Sequence, residues 1–251
     1  MTVSNPQAMD LHSRIAARTA RVGVIGLGYV GLPLAMAAIR GGFAVTGFDI
    51  DPGKITAIEA RRSYIEAVPQ EALAEAVDAG RLRASCDFDG LAECDIIAIC
   101  VPTPLTAHRT PDLSYVENTG RDIAARLRPG QLVILESTTW PGTTREVLAP
   151  ILEATGLTAG QDFFVGFSPE REDPGNRQFR TSTIPKVVAG EGEEASVLMT
   201  AFYGAVVETV VPVSSTATAE AVKLTENIFR AVNIALVNEL KLVYDAMGID
   251  V

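Results

Sequence analysis

The sequence predicts an α/β fold, a Rossmann-type, doubly wound and mostly parallel sheet followed by a long helix. Three observations carry this. Strand and helix signals alternate from residue 21 onward. A glycine turn, Gly26-Leu27-Gly28-Tyr29-Val30-Gly31, joins the first strand to the first helix of that alternation. Residues 216–247 contain neither glycine nor proline and carry apolar residues near helical spacing.

The elements follow in order. Residues 1–20 form an N-terminal extension, with Leu11, Ile15 and Ala16 near one face of a short surface helix. Residues 21–212 form the nucleotide-binding domain. Its strands are expected near 21–25, 43–48, 95–100, 131–136, 163–167, 185–189 and 206–211, where short apolar runs end in turn residues. Helices are expected near 29–40, 52–60, 69–79, 114–127, 143–155 and 193–203. The charged stretch from Arg61 to Leu91 covers one edge. Residues 213–251 contain the long helix, about 45 Å at 1.5 Å per residue. That length suits a spine joining domains or pairing subunits, and a homodimer through 216–247 is expected. The chain reads as cut just after it, at Val251.

Each glycine of the turn has a separate task. Gly26 lets the chain bend, Gly28 lets a pyrophosphate approach the backbone, and Gly31 lets helix and strand pack closely. The amides at the helix start then face the phosphates. Asp49 ends the second apolar run, where a carboxylate accepts hydrogen bonds from an adenosine ribose. No arginine follows it closely, so NAD is read in preference to NADP.

Composition narrows the partners. The net charge of −10 argues against general nucleic-acid binding. No apolar run reaches the length of about eighteen residues that a membrane span needs. Three cysteines and no signal-like N-terminus suggest a reducing compartment, the cytoplasm. No cluster of His, Cys, Asp and Glu has metal-ligand spacing, so no metal is expected.

Four polar groups stand out, three at strand ends and one on the long helix. Pro102-Thr103-Pro104 and Glu136-Ser137-Thr138-Thr139 leave two strands on the side where such sheets bind ligands. Ser168-Pro169-Glu170-Arg171-Glu172 leaves a third. Its acids suit acid–base work and Arg171 suits a phosphate, although a solvated turn fits equally. Lys223 and Asn227 are four apart and share a helix face, with Arg230 near the same stripe. They can hold an alkoxide or a water, and spacing alone also fits a solvated surface pair.

The segments VGVIGLGYVGLPLA, GFDID, CVPTP, ESTTWPGTT, FSPEREDPGN and TAEAVKLTENIFRAVNIALVNE together resemble the UDP-glucose/GDP-mannose dehydrogenase family. The SPEREDPGN form, with PGTT and IPKVVAG, most resembles the subgroup acting on UDP-N-acetylglucosamine. The resemblance implies oxidation of a nucleotide sugar at C6, from alcohol to carboxylate, with two NAD⁺ per turn and a thioester on a cysteine. It implies that Gly26, Gly28, Tyr29, Val30, Gly31, Asp49 and Lys54 bind NAD. Thr103 and Thr138 would line the cofactor and reaction centre. Lys223 and Asn227 would stabilise oxygen charge at C6, and Glu170 would order the hydrolytic water. Glu172 stands in for a second loop glutamate.

The family's cysteine lies in a glycine-rich segment downstream of the long helix, and Cys86, Cys94 and Cys100 do not match it. The chain is therefore expected to be an N-terminal portion, inactive in the overall reaction. Two readings compete. A small β-hydroxyacid dehydrogenase would also place a lysine and asparagine four apart on a long helix. A non-catalytic NAD-binding or dimerising module would need only the turn and the helix.

Overall fold

A computed structural model describes residues 3–170 and 185–250. The first strand, β1 (Arg21–Ile25), is buried at four of its five positions, because helices cover both faces of the sheet. The chain continues through α2 (Gly31–Arg40), β2 (Ala44–Phe48), α3 (Pro52–Glu59), α4 (Gln70–Asp78), β3 (Leu82–Ser85) and β4 (Ile96–Ile99). Then come α5 (Ser114–Ala124), β5 (Leu132–Leu135), α6 (Ala149–Glu153), β6 (Phe164–Phe167) and β7 (Lys186–Gly190). The last elements are α7 (Glu193–Val206), β8 (Val210–Pro212) and α8 (Thr216–Ala246), and α1 (Pro6–Ala16) precedes them all.

The eight strands lie in the order β3-β2-β1-β4-β5-β6-β7-β8. Every pairing is parallel except β6 with β7, which is antiparallel. From β1 the order runs outward both ways, to β2 and to β4. A crevice therefore opens at the carboxyl ends of β1 and β4, where open α/β sheets bind ligands.

Three sequence expectations are corrected. The stretch 61–91 does more than cover an edge. Besides α4, which matches the helix expected near 69–79, it supplies the edge strand β3, whose four residues were too few and too polar to read as a strand. The helix expected over 143–155 is two pieces, a π-turn over Thr144–Leu148 and then α6. Pro150 lacks the N–H that would continue an ordinary helical ladder there. The N-terminal helix is docked on the body, and its buried stripe is Ala8, Leu11 and Ile15, with Ala16 exposed. Full burial of Leu11 and Ile15 contributes on the order of 2 kcal/mol each.

The clasp at the foot of the sheet is ionic. Asp95, 2 % exposed, accepts from the Arg21 N–H at 2.9 Å, from Arg14 at 2.9 Å and from Arg128 at 2.5 Å. Asn5 caps α1 by accepting from the Gln7 and Ala8 N–H groups.

α8 behaves differently from the rest. Ser215 caps it, and its buried residues are Thr216, Ala219 and Glu220, all in the first two turns. Beyond Lys223 the helix leaves the body. Ile228, Phe229, Val232, Leu236, Val237, Leu242 and Val243 are each at least half exposed. No helix among the described residues is long and apolar enough to cross a membrane.

Candidate active site

The glycine turn has the geometry that its spacing predicts. Gly26 sits at φ +90°, and a Cβ on it would lie 2.6 Å from the Cys100 carbonyl oxygen. A Cβ on Gly31 would lie 1.8 Å from the Gly26 carbonyl oxygen, so helix and strand touch there. A Cβ on Gly28 would meet nothing within 4 Å. Gly26 and Gly31 thus answer to the fold, and Gly28 answers to open space in front of the turn. No side chain caps α2, whose cap position is Val30; the Leu32 N–H donates to the Gly28 carbonyl at 3.1 Å and Pro33 has no N–H, so the Gly31 N–H is the first-turn donor left for an anion. Tyr29 is 66 % exposed over the same space.

Asp49 stands at the end of β2 beside the turn. Its Oδ2 accepts from the Leu27 N–H at 2.8 Å and from Lys54 Nζ at 2.7 Å, and its Oδ1 accepts from the Asp51 N–H at 3.0 Å. A carboxylate offers about four acceptor positions, so room for a ribose hydroxyl remains. Burial works against the charge, but the Lys54 ammonium and the two backbone donors outweigh it and hold the carboxyl below the usual aspartate range. The Tyr64 hydroxyl donates to the Leu27 carbonyl at 2.8 Å and pins the turn from the other side.

The two strand-end loops are stapled to each other. Thr103 Oγ1 donates to the Thr138 carbonyl at 2.8 Å, and Ser137 Oγ donates to the Val101 carbonyl at 2.6 Å. Glu220 on α8 braces the second loop. It accepts from the N–H groups of Gly142 at 2.5 Å and Thr144 at 2.9 Å, and from Thr144 Oγ1 at 2.7 Å.

Lys223 comes off the next turn of α8 and donates to the Glu170 carbonyl, just after β6. Burial lowers its ammonium below the usual lysine range. Glu170 and Glu226 oppose that shift, while Arg230 and Lys186 add to it. Asn227 is half-buried one turn further along, and Arg230 is exposed. Arg171, Glu172 and the rest of the acidic loop to residue 176 lie outside the described residues.

Sequence reasoning missed a buried polar group beneath these loops. Glu136, 1 % exposed at the end of β5, pairs with Lys186 at 2.7 Å and accepts from the Tyr203 hydroxyl. Lys186 also lies 3.5 Å from the Glu170 carboxylate. The signal was a lysine opening an otherwise apolar strand, KVVAG, and a glutamate closing another, LVILE. Two of the three thiols are poor nucleophiles by position, since burial pushes Cys94 up to about 12 and Cys100 well above its ordinary value. Cys86 is exposed just beyond β3, at the opposite side of the sheet from β6.

Comparison with known proteins agrees with this geometry. Residues 20–228 match the UDP-glucose/GDP-mannose dehydrogenase family, NAD binding domain, and residues 217–251 match that family's central domain. The chain is 39 % identical over 232 residues to UDP-N-acetyl-D-glucosamine 6-dehydrogenase of Pseudomonas aeruginosa, covering 92 % of this chain and 54 % of that protein. The solved UDP-D-ManNAc dehydrogenase of Pyrococcus horikoshii is 38 % identical, with a TM-score of 0.86, covering 91 % of this chain and 55 % of that one. A ternary complex of Pseudomonas aeruginosa GDP-mannose dehydrogenase is 30 % identical, with a TM-score of 0.83, over 92 % of this chain and 54 % of that one. The chain spans about half the length of the curated relatives it matches. It belongs to the UDP-glucose/GDP-mannose dehydrogenase family, and its α/β domain is that family's NAD-binding domain.

Proposed function

We propose that these residues form the cofactor half of a UDP-N-acetylhexosamine 6-dehydrogenase, with UDP-N-acetylglucosamine as the first candidate substrate. The observation that carries this reading is the contact of Lys223 with Glu170 at the sheet edge that also carries the Thr103 and Thr138 loops. Bound NAD⁺ would supply the hydride acceptor for the substrate carbon, held by residues of this chain. Gly26, Gly28, Tyr29, Val30 and Gly31 seat its pyrophosphate, Asp49 and Lys54 take the adenosine ribose, and Thr103 and Thr138 line its reactive end. Lys223 holds negative charge on the C6 oxygen as that carbon is oxidised, and its partial desolvation strengthens the interaction. Asn227 donates to the same oxygen, and Glu170 orders a water for hydrolysis.

The acid-forming half of the reaction needs a nucleophilic cysteine; Cys94 and Cys100 are buried and held protonated, and Cys86 follows β3, across the sheet from Glu170 and Lys223. On their own these residues are expected to bind NAD⁺ without sustained oxidation using two NAD⁺ per turn. Titration with NAD⁺, followed by UDP-N-acetylglucosamine or its mannosamine epimer while absorbance of NADH is monitored, tests both points. Absence of NAD⁺ binding defeats the reading, and sustained formation of the acid defeats the expected inactivity. The bare apolar face of α8 supports homodimerisation through residues 216–247. Light scattering that shows a monomer at micromolar concentration counts against it.

A further inference from the structure

Lys186 has no part in the proposed function, yet among the described residues it is the buried cation beneath the site. Its side chain is 5 % exposed, on a strand buried at every position. Its ammonium reaches three groups on two other strand ends. Glu136 Oε2 lies at 2.7 Å, Glu170 Oε2 at 3.5 Å, and the Pro169 carbonyl accepts from it at 3.3 Å. The second oxygen of Glu136 is held by the Tyr203 hydroxyl from α7, which fixes the carboxylate from the opposite side. The carbonyl of Glu170 in turn accepts from Lys223. Thr138 follows Glu136 by two residues, so the same ammonium is tied into the cofactor-side loop.

A buried ion pair contributes little net stability, since desolvation offsets most of the Coulombic gain. What a strand-borne ammonium with three fixed acceptors does supply is placement. We propose that Lys186 is the positioning residue of the substrate end of the site, fixing the Pro169–Glu170 segment so that its carbonyl presents Lys223, and coupling that placement to the Thr138 loop. This rests on the reading of Glu170 and Lys223 as substrate-site groups.

Among the described residues, these groups face the two amines. Lys186 meets Glu136, Glu170 and Cys100, and its ammonium lies 5.5 Å from the centre of the Tyr203 ring. Lys223 meets Glu170 from β6, Lys186 from β7, and Glu226 and Arg230 from its own helix. The state of the Lys223 amine therefore reports on Lys186 without any turnover. The experiment is competitive acetylation of Lys223 by acetic anhydride from neutral to alkaline pH, read by peptide mass spectrometry on the full chain. Lys186→Met combined with Glu136→Gln removes the cation without leaving a bare buried carboxylate. Loss of that like charge, and release of the Glu170 carboxylate toward Lys223, should move the Lys223 midpoint up by about half a pH unit or more. Glu136→Gln alone touches Lys223 nowhere and keeps Lys186. It should draw Lys186 onto Glu170 and move the midpoint down, which serves if the double variant does not fold. An unchanged midpoint in a folded double variant, or in Glu136→Gln, overturns the proposal. The substrate reading is tested separately in the wild type. If UDP-N-acetylglucosamine fails to protect Lys223 from acetylation, that reading falls while the effect of Lys186 on the titration stands.

Discussion

Alanine at Gly28 and alanine at Gly31 should separate cofactor binding from folding. In Gly31→Ala the new methyl would sit 1.8 Å from the Gly26 carbonyl oxygen, 3.0 Å from its carbon and 3.2 Å from the Cys100 Cβ. That oxygen belongs to the turn backbone and cannot swing aside like a flexible side chain. Relief requires α2 to move off β1 by on the order of an ångström. Overpacking of this kind costs about 1–3 kcal/mol and often more, and α2 contributes eight buried residues to the core. A cost of about 3 kcal/mol should lower Tm by roughly 6–12 °C in a domain of this size. Gly28→Ala meets nothing within 4 Å, and Gly28 is not among the glycines with positive φ. The methyl restricts the unfolded chain, so stability should hold or rise by about 0.4–1 kcal/mol. Its methyl projects where the pyrophosphate would lie, so NAD⁺ affinity should fall at least about tenfold, or about 1.4 kcal/mol. Thermal denaturation and NAD⁺ calorimetry on both variants make the comparison. A Gly28→Ala variant that binds NAD⁺ like the wild type, or a Gly31→Ala variant that melts like it, refutes the assignment of tasks within the turn.

Asp49 should show its charge through pH. Its folded carboxyl titrates below the ordinary aspartate value near 3.9, so its contribution is present above that value and lost as pH falls through the lowered one. NAD⁺ affinity of the wild type should stay flat through mildly acidic pH, whereas Asp49→Asn should bind weakly throughout and accept NADP⁺ better beside the released Lys54. A titration series over pH with both dinucleotides decides this. Glu220→Ala leaves the Gly142 and Thr144 donors without their acceptor and should cost about 1–3 kcal/mol in chemical denaturation. Asp95→Ala leaves the Arg21 N–H and the partly exposed Arg14 and Arg128 without their shared acceptor at the foot of the sheet and should cost about 1–3 kcal/mol by the same measurement. Loss of less than 1 kcal/mol in either would mean that its hydrogen bonds are replaced by water.

The sequence by itself determined the pattern of the sheet and the seat of the cofactor. Continuous apolar runs such as LVIL and FVGF mark strands because a parallel sheet is covered on both faces. Glycine at 26, 28 and 31 marks the turn because 26 and 31 exclude a side chain for two different steric reasons, while 28 faces the open space in front of the turn. Those signals are local. The edge strand LRAS escaped because a strand at the border needs only one buried face and partners supplied from 37 residues away, as in Val45 with Leu82. Tertiary structure alone decided what Lys223 meets. Its spacing from Asn227 fits a surface pair equally well, and only the return of α8 along the sheet brings it to the Glu170 carbonyl. The same holds for Glu136 and its partners Lys186 and Tyr203, which lie 50 and 67 residues further along the chain and join it only when β5, β7 and α7 pack. Charges so far apart leave no periodicity to read, because their pairing is set by the distance between packed elements and not by the repeat of any one of them.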